Sequence, residues 1–174
     1  MRARDALGAA ALLAALLIAI PMTSRGRTAP LKGGASSTDD LIERLLVSLK
    51  NNDAAALRGL RVTQDEYLRV ILPGSVKPGE PVRHWPDDAS QYFWGQLDAK
   101  SIYSEEALLQ LFGGHTYRVK AVRWDKGTQQ YATYQAYKQL RLDLVGEDGQ
   151  EAHLETGSIA EVDGRFKFIS FRRD

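Results

Sequence analysis

Alternation dominates the last third of the chain. From Tyr131 to Val145 the even positions are Ala132, Tyr134, Ala136, Lys138, Leu140, Leu142 and Leu144, and the odd positions are mainly Thr, Gln, Arg and Asp. A period of two describes a strand with one buried and one wetter face. Similar runs at Thr116 to Trp124, Glu151 to Val162 and Arg165 to Phe171 predict three further strands. Turn chemistry sets their register. Glu147-Asp148-Gly149 suits a three-residue loop with Gly149 in the left-handed conformation. Gly146 then faces Gln150, Leu144 meets Ala152, Leu142 meets Leu154, Leu140 meets Thr156 and Lys138 meets Ser158. A two-residue turn at Asp148-Gly149 would set Leu142 against Glu155 and mix the faces, so it is rejected. Asp163-Gly164 as a two-residue turn pairs Val162 with Arg165 and Ser158 with Ile169.

The stretch before these strands has helical spacing. Leu41, Ile42, Leu45, Leu46 and Leu49 fall on one face of a helix starting near Thr38, with Asp39 and Asp40 at its positive end. Asn51-Asn52 breaks it, and Asp53 caps a short second helix carrying Leu57 and Leu60. Thr63 and Glu66 fit a capping box for a third, which Pro73-Gly74 ends. Ser75 to Pro86 is rich in proline and reads as an irregular loop. A helix from Asp87 to Leu97, a break at Lys100 to Tyr103 and a helix capped by Ser104 are expected next, closed by Gly113-Gly114. In that reading Glu105 and Glu106 are first-turn carboxylates that stabilise a helix start.

The amino terminus is of another kind. Arg2 and Arg4 precede an uncharged segment, Ala6 to Ile20, made of Ala, Leu, Ile and one Gly. This is the pattern of an export signal or, if retained, a membrane anchor. As a helix, Ala6 to Met22 would be about 25 Å long, slightly short of a hydrocarbon core of about 30 Å. Arg25 to Ser37 lacks periodicity and reads as a flexible tether. The expected organisation is residues 1–24 as signal peptide or membrane anchor, 25–37 as linker and 38–174 as one α+β domain, with the domain outside the cytoplasm.

Composition narrows the chemistry. The chain holds 174 residues, 44% of them hydrophobic, with a net charge of +1. There is no cysteine, which excludes disulfides, thiol nucleophiles and thiolate metal sites. His84, His115 and His153 lack metal-ligand spacing. Gly113-Gly114 precedes a strand, whereas phosphate-cradling loops open a helix. Neither a metal, a cofactor nor a nucleic-acid partner is expected.

With its elements in this order, the chain resembles the nuclear-transport-factor-2-like superfamily, which includes the SnoaL-like polyketide cyclases. The resemblance rests on the helix Leu41 to Leu49 followed by Asn52-Asp53-Ala54-Ala55, and on the ending Glu155 to Phe171 with its Asp163-Gly164 turn. It implies a cone: N-terminal helices packed on one curved antiparallel sheet of about four strands enclosing a pocket. The superfamily includes isomerases, dehydratases and hydrolases as well as non-catalytic binding and assembly domains.

Lys138 interrupts the buried face, and a buried ammonium needs a partner. The register places Ser158 opposite, Thr156 a step away and Tyr134 on the same face. These four form a candidate ligand patch, and His84-Trp85 can fold over its mouth. The alternative is that Lys138 reaches out to the rim or pairs with a helix carboxylate. No acid–base pair of catalytic type emerges, so the expected function is non-catalytic binding of a small apolar ligand or an envelope protein. Two rivals stand beside it. One is a cofactor-free lyase, isomerase or hydrolase using Lys138, Tyr134 and His84. The other is a homodimeric assembly module, with Ile159, Phe166 and Phe168 supplying an outer apolar patch.

Overall fold

A computed structural model describes residues 31–172; the apolar segment at the amino terminus lies outside them. Helix α1 (Thr38–Lys50) is capped by Ser37, whose hydroxyl accepts from Asp40 N–H at 3.0 Å, one residue ahead of the expected cap. Asp53 caps α2 (Ala54–Gly59). Thr63 and Glu66 form the expected capping box of α3 (Gln64–Glu66), which continues through a π-helical stretch, Tyr67–Ile71, into α4 (Leu72–Gly74). Helix α5 then runs unbroken from Asp87 to Phe112. The expected break at Lys100 to Tyr103 is absent because nothing there interrupts a helix. Ser104 bonds back to the Lys100 carbonyl at 3.0 Å instead of capping a new start. Glu105 is therefore a buried mid-helix carboxylate, held by Arg58 at 2.8 Å, and the helix-start role expected for it is overturned.

Seven strands follow: β1 (Tyr117–Trp124), β2 (Thr128–Gln130), β3 (Gln135–Tyr137), β4 (Leu140–Gly146), β5 (Glu151–Glu155), β6 (Ile159–Val162) and β7 (Arg165–Phe168). They form two antiparallel sheets, in the orders β1-β4-β5 and β2-β3-β6-β7. One curved sheet of about four strands was expected; the long strands are instead divided. Gln139 adopts a positive φ of 56° and separates β3 from β4. Opposite it, Gly157 lies where any Cβ would collide with the Ser170 and Arg172 carbonyl oxygens.

The register survives this division. Leu142 pairs with Leu154 and Leu144 with Ala152, while beyond the kink Tyr137 pairs with Ile159 and Ala136 with Ala160. All four pairs follow the count from the three-residue turn. Val162 faces Arg165 across Asp163-Gly164, both at positive φ as a tight hairpin turn requires.

What changes at Gln139 is the direction of the faces. Leu140, Leu142 and Leu144 join Leu41, Leu45, Leu49, Leu108 and Phe168 in the main core. Tyr134 and Ala136 join Val62, Val70, Ile71 and Val162 in a second core on the other side of the four-stranded sheet. Strands β3, β6 and β7 of that sheet are covered on both faces, whereas β2 is exposed. Ile159 and Phe168 have no exposed surface and Phe166 little, so the outer apolar patch expected of them does not exist.

Residues 31–37 belong to this body. Leu31 and Ala35 are buried, Ala35 and Phe166 exchange two backbone hydrogen bonds at 2.9 and 3.0 Å, and Lys32 N–H donates to Glu66 at 2.6 Å. The tether expected over 25–37 thus becomes packed chain by residue 31. Glu66 also receives the buried Lys167 ammonium at 3.0 Å, which ties α3 to β7.

Candidate functional site

The ligand patch expected at Tyr134, Lys138, Thr156 and Ser158 is not assembled. Tyr134 is buried in the second core, its hydroxyl 2.9 Å from Ser75 Oγ and its ring stacked on Tyr131. Burial pushes its hydroxyl pKa up to about 12. Lys138 turns outward, and its Nζ donates to Gln129 Oε1 at 3.1 Å on the exposed flank of β2. Thr156 is fully enclosed, donating weakly to the Gly157 carbonyl at 3.3 Å. Ser158 is half-buried, its carbonyl accepting from Ile169 N–H at 2.8 Å. His84 is exposed in the loop before α5. The flip of faces at Gln139 sets Thr156, opposite Leu140, apart from Tyr134, and Lys138, which precedes the flip, is drawn instead to Gln129 on β2.

A different place collects apolar surface. Between α1 and β1 lies a groove of about 500 Å³. Helix α1 contributes Ile42, Leu46 and Val47, and β1 contributes Tyr117, Val119 and Val122. Asp39, Glu43, Lys50 and Thr116 complete the lining. Val47 is 50% exposed and Val122 38%, both high for valine in a structure with ample core.

Local sequence explains why the groove stays open. Leu41, Leu45 and Leu49 carry the buried stripe of α1, and Ile42, Leu46 and Val47 lie beside it. Their flank turns toward an edge strand, because β1 has β4 on one side only. Strand β1 also bulges at Lys120, where the register shifts between Val119 and Ala121. The extra residue moves Val122 and Trp124 onto the face of Tyr117 and Val119. Simple alternation hides this grouping. The signal that could have found it is the spacing of Tyr117, Val119, Val122 and Trp124, an alternating run with one gap of three.

The outer face of the same sheet is charged. Asp143 accepts from Arg123 at 2.6 Å and lies 2.9 Å from His153 Nδ1. Arg141 pairs with Glu155, and Lys120 with Glu151 at 2.5 Å. The Lys120 ammonium holds the Glu151 carboxyl below its ordinary range. These groups lie on the other side of the sheet from the groove, so it has apolar walls with two carboxylates and one ammonium at its margin. Such a site can hold an apolar molecule and orient a polar end.

Comparison with protein-family models, with curated proteins and with solved structures finds no match for this chain. Among the described residues, no group of three or more His, Asp or Glu side chains is placed to hold a metal, and no helix is long and apolar enough to cross a membrane.

Proposed function

We propose that this chain is an extracytoplasmic domain of nuclear-transport-factor-2-like type that binds a small apolar molecule in the α1–β1 groove without catalysing its conversion. Its export or tethering rests on the charged start and the apolar run Ala6 to Ile20. The observation that carries the binding role is the open groove of about 500 Å³ with Ile42, Leu46, Val47, Tyr117, Val119 and Val122 as its walls. A volume of this size suits a ligand on the order of 20 non-hydrogen atoms. At about 0.3 kcal/mol per atom the affinity falls in the range of tens of micromolar.

Nile red, a neutral dye that brightens in apolar surroundings, tests this with the full chain. Titration should saturate in that concentration range. Val47→Glu, a change at a half-exposed position, should weaken binding about tenfold by placing a charge in the apolar wall. Lys138→Met should leave binding unchanged. Equal titrations for the parent and Val47→Glu, or a loss confined to Lys138→Met, would overturn the assignment.

A further inference from the structure

The second edge of the three-stranded sheet is β5, and it differs from the β7 and β1 edges. Edge strand β7 is stitched to Ala35 and Arg61 by bridges, and β1 is interrupted by its bulge. Strand β5 pairs regularly with β4. At the ends of this ladder Gly146 N–H donates to the Gln150 carbonyl and Thr156 N–H to the Leu140 carbonyl, both at 2.9 Å. Hydrogen-bonded pairs alternate in an antiparallel ladder, so Ala152 and Leu154 direct their main-chain groups to β4. Glu151 and His153 direct theirs out of the sheet, where no described residue bonds them.

Helix α5 runs beside this edge, and a groove of about 320 Å³ separates the two. Tyr103, Leu108 and Leu111 line it from the helix, and His153 and Glu155 from the strand. Tyr103 and Leu111, 75% and 69% exposed, are the two most exposed large apolar side chains among the described residues. An outward main-chain ladder facing an apolar helix wall is the geometry of strand addition.

We propose that β5 and α5 together take up an extended segment of a partner protein as a fourth strand of this sheet. The side chains decide the partner's chemistry. Alternate residues of the incoming strand would meet the Tyr103, Leu108 and Leu111 wall. The residues between them would meet Glu151 and Glu155, whose own cations, Lys120 and Arg141, come from β1 and β4 on the inner side. The fitting segment therefore alternates apolar residues with Lys or Arg. Antiparallel self-pairing of a second copy centred on His153 sets Glu151 against Glu155, a like-charge pair, which disfavours that register. This inference is independent of the α1–β1 assignment.

The test uses a blocked peptide of alternating Lys and Val, titrated calorimetrically into the full chain. Saturable binding is expected. Leu111→Ser, at an exposed position, should weaken it about tenfold, and His153→Pro, which deletes an outward N–H, should do the same. A fully N-methylated peptide should not bind, and Val47→Glu should have no effect. The proposal is overturned if the parent peptide does not bind, if the N-methylated or a Glu–Val peptide binds equally well, or if neither β5–α5 variant changes the affinity. Sedimentation of the full chain as a dimer whose assembly His153→Pro abolishes would also overturn it, by assigning the edge to a second copy.

Discussion

The two sheets solve the problem of strand edges and faces in opposite ways. Strands β3, β6 and β7 of the four-stranded sheet are covered on both faces, with Tyr137, Ile159 and Phe168 toward one core and Tyr134, Ala136 and Val162 toward the other, while β2 is exposed. Its β7 edge is closed by Ala35 and Arg61. The three-stranded sheet buries Leu140, Leu142, Leu144 and Leu154 on one face and carries paired charges on the other. Each of its edges borders a groove lined by a helix. Among the described residues, four of the six exposed large hydrophobic side chains lie in those two grooves: Val47 and Val122 in one, Tyr103 and Leu111 in the other. Both sheets thus feed the main core, and the second also presents surface at its edges.

Large stability effects are expected where side chains of either sheet enter a core, and the four-stranded sheet supplies two such places. Phe168→Ala, which empties the centre of the enclosed sheet, should cost about 3–5 kcal/mol in denaturant unfolding. Lys167→Met should follow at about 3 kcal/mol or somewhat more, because it leaves the Glu66 carboxylate buried with only the Lys32 N–H and its own helix cap as donors. If either variant unfolds no more readily than the parent, the enclosed sheet is not the body of the fold.

A pH titration sharpens the same point. Tyr134 holds its proton to about pH 12 in the fold, against 10 for the free side chain. As pH rises past 10 the unfolded chain loses that proton first. Stability is therefore fully present below pH 10 and declines toward pH 12, by about 2–3 kcal/mol. Tyr134→Phe should remove that part of the alkaline decline. An unchanged alkaline profile in the variant would show that Tyr134 is not enclosed.

On the presenting sheet the effects should be small. Arg123→Ala removes an ion pair at the surface and should cost under about 1 kcal/mol. A large loss would erase the distinction between the sheets.

Much of this was legible in the residues. Turn identity fixed register, and the pairs Leu142–Leu154, Leu144–Ala152 and Val162–Arg165 follow from two glycines and the rule that apolar faces match. Helix caps at Asp53 and Thr63 were equally local. The candidate ligand patch was not legible, because its assembly depended on one backbone angle. Gln139 carries no glycine or proline signal, yet its positive φ sends Tyr134 and Leu140 to different cores. Glu105 was misread for a related reason: a cap-like Ser104 in a helix without a breaker does not end it. The α1–β1 groove was hidden by the bulge at Lys120, which interrupts the alternation that identifies a strand face.

The most direct measurement is hydrogen exchange of the full chain with and without saturating Nile red. Binding should slow exchange at residues 39–50 of α1 and 116–122 of β1, and leave residues 134–138 and 156–158 as they were. Protection centred on Tyr134, Lys138 and Ser158, with α1 and β1 unaffected, would contradict the account.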